Sequence, residues 1–168
     1  HSDGWGKGVQ FVKIAFYLDT LTRDTGCLRV IPGSHHLKDQ FANQVQNSIK
    51  TSTEVWDISG PDIPCEALET APGDLVCFNH NLKHAAFGGS SRRRMFTINC
   101  SERFPNDRLD DLRRNIAGAA RFWNDSRYGP VMIETADPKR MVHLEQGIEH
   151  SGHLPELVRK AMAEMPEP

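Results

Sequence analysis

The chain has 168 residues, 38% hydrophobic and 25% charged, with a formal net charge of −2, proportions that suit one globular domain able to bury a core. That balance excludes the strong basic field of a nucleic-acid or anionic-membrane binder, and no apolar run is long enough to span a bilayer. Cys27, Cys65, Cys77 and Cys100 lie far apart with no Cys-x-x-Cys pair, which predicts reduced thiols and a cytoplasmic setting rather than a disulfide frame or zinc knuckle.

In chain order, His1-Ser2-Asp3-Gly4 puts a histidine and an aspartate on one side of an extended segment. With no methionine before His1, the chain is expected to be a fragment that lacks an N-terminal segment. Residues 9–18, VQFVKIAFYL, read as a strand. Phe11, Lys13, Ala15 and Tyr17 share one face and Val12, Ile14, Phe16 and Leu18 the other. The lysine and the phenol mark the first face as the wall of a polar cavity. Residues 19–26 are turn-rich and end in Gly26, suited to a hairpin. Residues 27–31 form the next strand, stopped by Pro32-Gly33-Ser34. His35-His36 follow, in capping or solvent roles.

Residues 37–58 are polar, rich in Gln and Asn, and weakly periodic. They predict a long excursion with some helix, of the kind that covers an active site. Residues 65–70 give a short strand leading to Pro72-Gly73, whose fixed φ and glycine suit a type II turn. Leu75-Val76-Cys77-Phe78 and Met95-Phe96-Thr97-Ile98 are two further strands. His84 lies between them, and Arg92, Arg93 and Arg94 lead into the second. Beyond Cys100 the pattern turns helical. Asn106 caps a helix running towards Trp123, Val131-Met132-Ile133 reads as a small strand, Asp137-Pro138 opens another helix, and 154–165 forms a last one.

Strands divided by turns, with helices only at the end, predict an antiparallel sandwich or jelly roll followed by helices. In such a fold His1, Asp3 and His84 can meet. Two imidazoles and a carboxylate leave open positions suited to non-haem Fe(II) and oxygen chemistry. An arginine beside them could hold a dicarboxylate through its planar fork.

The runs HSDG, FYLDTLTRDTGCLRVIPGSHH and PGDLVCFNHNLKHAAFGGSSRRRMFTIN together resemble the phytanoyl-CoA dioxygenase family of Fe(II)- and 2-oxoglutarate-dependent oxygenases. The resemblance spans residues 1 to about 100. It implies a mainly β protein: a double-stranded β-helix, the cupin-like jelly roll, over residues 1–104, with C-terminal α-helices at 105–168 packed on it as one domain. It implies Fe(II) held by His1, Asp3 and His84, with 2-oxoglutarate and O2 as co-substrates. Arg93 is the expected anchor of the far carboxylate, with Arg94 as the alternative because a one-residue shift flips every strand side chain. Thr97 and Lys13 are expected to assist the co-substrate, Arg92 to sit in a solvated loop, and His80 to line the cavity mouth.

Ala86 stands where relatives often carry a hydroxyl. The implied reaction is oxidation of an unactivated C–H bond of a small molecule, with release of succinate and CO2. Asp3 favours hydroxylation, because related halogenases have a small residue in its place. Rival readings of the same donors are a non-oxidative cupin-like metalloenzyme, which needs no inward arginine, and a binding module without turnover. A copper clamp formed by the amine and imidazole of His1 would require a mature terminus.

Overall fold

The computed structural model describes residues 1–5, 8–89 and 93–165; Arg92 lies outside them. Two compact units divide the chain, His1–Glu102 and Arg103–Pro168. In the first, β1 (Phe11–Tyr17) is the middle of a sheet, flanked by β4 (Leu75–Asn79) and β6 (Met95–Ser101). A second sheet has β2 (Leu28–Val30) between β3 (Glu66–Leu68) and β5 (His84–Ala85). Every pairing is antiparallel.

The two sheets face each other because their alternating apolar side chains have nowhere else dry to go. Ala15 and Tyr17 of β1 pack with Leu21 and Cys27, while Leu28 and Val30 of β2 pack with Phe78 of β4. Phe11, Ala15 and Tyr17 are buried, so the face of β1 that carries Lys13 is the inward one, as its polar residues predicted. The opposite face stays open to solvent at Leu75, Phe96 and Ile98, with the Phe16 and Phe96 rings stacked 4.5 Å apart.

The 19–26 segment does not close a hairpin: β1 and β2 belong to different sheets. Arg23–Thr25 instead forms a short 3-10 turn, with Thr22 N donating to Thr25 Oγ1 at 2.8 Å and Gly26 ending it at φ 97°. That left-handed residue turns the chain from one sheet to the other. Residues 131–133 are not a strand, because Pro130 preorganises the first turn of a helix, α4 below. The chain is also not mainly β by content, being about 42% helix. Both the excursion and the tail are helical. Within the excursion lie α1 (Gln40–Ser48), capped by Asp39 Oδ1 accepting from Ala42 N, and α2 (Ser52–Trp56).

The second unit contains α3 (Leu109–Ala117), α4 (Pro130–Glu134), α5 (Pro138–Glu149) and α6 (Leu154–Glu164). Asn106 does not cap the first of these but lies in a 3-10 turn ahead of it, with Pro105 in the cap position. Leu112, Ile116, Ala120, Leu154 and Val158 are buried, the apolar side of helices whose other side faces solvent. Asp137 caps α5 by accepting from Arg140 N at 2.8 Å. No helix among the described residues is long and apolar enough to cross a membrane.

Gly88 tests the loop that follows β5. Its φ is +70°, and a Cβ there would run into the Asp24 carbonyl oxygen. Gly88→Ala is therefore expected to lower unfolding free energy by about 2 kcal/mol or more, since it combines strain with overpacking. A denaturant midpoint unchanged from the parent would contradict this packing.

Candidate metal centre

Segment 1–4 is fastened to segment 80–84 by main-chain hydrogen bonds at both ends. The His1 carbonyl accepts from His84 N at 2.9 Å, and His1 N donates to the His84 carbonyl at 3.2 Å. Two residues on, Asp3 N and Gly4 N both donate to the His80 carbonyl, at 2.9 and 3.0 Å. Gly4 is required by this approach: a Cβ there would lie 2.8 Å from the Cβ of His80. His80 N in turn donates to the Phe11 carbonyl at the start of β1.

The 80–84 turn is fixed from the other side by Ser34. This fully buried hydroxyl donates to the Ile31 carbonyl at 2.6 Å and accepts from Lys83 N at 2.9 Å. The Pro-Gly-Ser turn after β2 thus positions the residue before His84. Its residue types signal the end of a strand but not this contact.

These ties bring ligand atoms of His1, Asp3 and His84 within 4.8 Å of one another. His1 Nε2 is 3.5 Å from Asp3 Oδ1, His84 Nε2 is 3.6 Å from Asp3 Oδ2, and the two ring centroids are 4.4 Å apart. His84 is buried against Phe78, and its Nδ1 donates to the Leu82 carbonyl at 2.9 Å, which leaves the Nε2 lone pair facing Asp3. Among the described residues no other three histidine, cysteine or acidic side chains converge in this way. His35 and His36 stack on each other, ring centroids 3.9 Å apart, without a third donor.

The protonation states suit a cation. Burial pushes the His84 imidazole below its usual value, against the opposing pull of the Leu82 carbonyl and Asp3. Burial disfavours the Asp3 carboxylate, but the hydrogen bond and charge of Lys13, with His84 and His80 adding to them, outweigh it and hold Asp3 below the usual carboxylate range. A neutral imidazole and an ionised carboxylate are the forms that bind a metal.

Lys13 Nζ stands 2.7 Å from Asp3 Oδ2, so its charge is engaged by the carboxylate. Arg93 Nε donates to the Gly26 carbonyl at 2.8 Å, and its charge reaches Tyr17, whose phenol burial pushes up. The Tyr17 hydroxyl is buried without a hydrogen-bond partner among the described residues. Arg94 points the opposite way, 74% exposed and paired with Asp19 at 2.7 Å. Thr97 lies across from Ala15 and Asn99 across from Lys13 on β6, both exposed. His80 is buried, stacked on Phe11, with its Nε2 3.1 Å from Asn99 Oδ1.

Two buried cations escaped the sequence reading. One is Arg29, whose place inside an apolar strand was the available signal. The other is Lys83, next to His84, whose ammonium burial pushes down to about 8.

Lys13 gives a test of the electrostatics. The carboxyl of Asp3 is lowered by folding, so its contribution to stability is present above the ordinary carboxylate value and is lost as pH falls through the folded value. Lys13→Met should cost about 1 kcal/mol of metal-free stability near neutral pH, as a partly exposed ion pair does. The deficit should shrink in acid. Divalent-metal affinity should hold or rise, since a competing cation is gone. Loss of metal affinity in this variant would contradict the reading of Lys13 as counter-ion to Asp3.

Comparison with known proteins adds the family. A structure described as the crystal structure of EvdMO1 aligns at a TM-score of 0.38 and 22% identity over 54% of this chain and 19% of that one. The chain therefore spans less than a fifth of that protein. A search of curated proteins finds no match. The sequence profile of the phytanoyl-CoA dioxygenase family matches residues 4–96, more than half of the sequence and beginning directly after Asp3; the chain belongs to the phytanoyl-CoA dioxygenase family.

Proposed function

We propose that this chain carries the metal and co-substrate site of an Fe(II)- and 2-oxoglutarate-dependent oxygenase that hydroxylates a small organic substrate, and that its facing sheets are part of a double-stranded β-helix. The observation that carries the reading is the convergence of His1, Asp3 and His84 within 4.8 Å on two segments fastened together. Two imidazoles and one carboxylate fit ferrous iron and leave positions for other ligands. Bound there with 2-oxoglutarate and O2, iron would supply the oxidant for an unactivated C–H bond, with succinate and CO2 released.

The chain's own groups have separate tasks in this reading. The Leu82 carbonyl holds the Nδ1 proton of His84, so that Nε2 is the donor. Lys13 keeps Asp3 ionised. Arg93 is the choice for the far carboxylate of 2-oxoglutarate. Its Nε is fixed by Gly26, leaving its terminal nitrogens for a planar anion, and the unpartnered Tyr17 hydroxyl supplies a second donor. Arg94 is occupied by Asp19 on the exposed side. Phe78 and the surrounding apolar side chains keep water from the His84 side of the site.

Anaerobic addition of Fe(II) and 2-oxoglutarate should raise a weak visible charge-transfer band. His84→Ala should abolish it. Arg93→Ala should weaken 2-oxoglutarate binding by about tenfold to a hundredfold, the range for a charge-assisted hydrogen-bonded pair, while Arg94→Ala leaves it unchanged. No band with the parent protein, or equal effects of the two arginine changes, would overturn the assignment.

A further inference from the structure

The wall formed by His1 and His84 also bounds a cavity of about 110 Å³, lined by Ile31, Ile49, Ile63 and Phe87 and by two cationic side chains, Arg29 and Lys83. Ile49 and Ile63 belong to the long excursion between β2 and β3. No aspartate or glutamate is among the described lining residues. Arg29 and Lys83 are 6% and 1% exposed. Among the described residues neither has an ion-pair partner.

Arg29 lies across from Ala85 and Ala67 in its sheet, so its side chain leaves the face opposite that of Leu28 and Val30. Its terminal nitrogens donate to the Pro61 and Arg23 carbonyls at 2.8 and 2.7 Å, and the guanidinium sits 5.4 Å from the Phe87 ring centroid. These contacts hold the guanidinium in place. They leave its Nε buried with no hydrogen-bond partner among the described residues. Among the described residues the Lys83 ammonium meets the Asn81 carbonyl, at 3.1 Å, and the Trp5 ring, at 3.8 Å. Carbonyl oxygens satisfy hydrogen bonds but do not neutralise two buried positive charges, which are costly without an anion. A guanidinium serving only to staple the 61 and 23 carbonyls would need neither a vacant donor nor a second cation beside it.

We infer that this cavity binds a small, largely apolar organic molecule bearing one carboxylate, with Arg29 as the anion anchor, on the sheet face opposite that of the His84 ring. Binding of the anion does not depend on the oxygenase reading. The volume is below the about 150 Å³ that admits benzene, so the cavity takes a carboxylate and the first few carbons of a slender chain and excludes a bulky phosphate ester.

Hexanoate and hexan-1-ol serve as probes, titrated into metal-free protein and followed by ligand line broadening in NMR. Hexanoate is expected to bind at least about tenfold more tightly than the alcohol, the effect of one charged hydrogen-bonded pair. Arg29→Gln should erase that preference. Because this change can also loosen the 60–62 turn, Ile63→Glu is the second variant: a carboxylate supplied by the half-buried wall should exclude hexanoate, and Ile63→Gln should not.

His84→Ala should keep the preference, so failure of the metal assignment leaves this result standing. Equal binding of acid and alcohol overturns the inference, as does a preference unaffected by Arg29→Gln and Ile63→Glu. Displacement of hexanoate by 2-oxoglutarate in His84→Ala protein also overturns it, because the cavity would then belong to the co-substrate.

Discussion

Everything about the site depends on the main-chain bonding of segment 1–4 to segment 80–84. The donors of the proposed centre are remote in sequence, and short polar side chains cannot find each other by their own attraction in water. Backbone bonds at His1, Asp3 and Gly4 fix the leading segment against the turn before β5, and a bare glycine permits the contact with His80. Ser34 then fixes the turn itself through Lys83 N. Each of these bonds contributes modestly, about 1 kcal/mol, but together they leave the side chains of Asp3 and His84 little choice of position. Preorganisation of this kind is what a site for a weakly held divalent ion needs.

Charge is distributed around that framework with a consistent sense. Asp3 is paired with one cation, Lys13, while Lys83, Arg29 and Arg93 are held by main-chain carbonyls with no carboxylate partner among the described residues. Such an interior is unfavourable for a metal alone, because like charges repel. It becomes balanced when anions accompany the metal, and carboxylate-bearing molecules are what the proposed reaction and the inferred anion site would bring. The outward residues of the same strands show the contrast: Arg94 is paired with Asp19 in solvent and makes no demand on a ligand.

Much of the local structure was legible because it is periodic or punctuated. The two-residue repeat of β1 separated its inward and outward faces, and the same repeat separates Arg93 from Arg94 in the structure. Pro72-Gly73 turns as its chemistry dictates, with Gly73 at φ 96° and Asp74 N bonded to the Ala71 carbonyl. The helical stripe through Leu112 and Ile116 is buried. What could not be read was non-local. Gly26 looks the same at a hairpin and at a crossing between sheets, since strand partners are chosen by burial across the whole unit. Residues 131–133 have strand-like composition, but the preceding Pro130 and local bonding favour a helical turn. Ser34, Arg29 and Lys83 carry no motif that declares their contacts, and only the folded chain shows that Ser34 bonds to Lys83 and that all three are buried.

The most direct measurement is NMR of the protein loaded with Co(II), a paramagnetic stand-in for ferrous iron. The account predicts two exchangeable imidazole N–H signals shifted far outside the diamagnetic range. The one from His84 should exchange slowly behind its bond to the Leu82 carbonyl and vanish in His84→Ala, and the one from the more exposed His1 should exchange fast. Shifted signals that survive His84→Ala unchanged, or none at all in protein that remains folded, would contradict the convergence of these three residues on one ion.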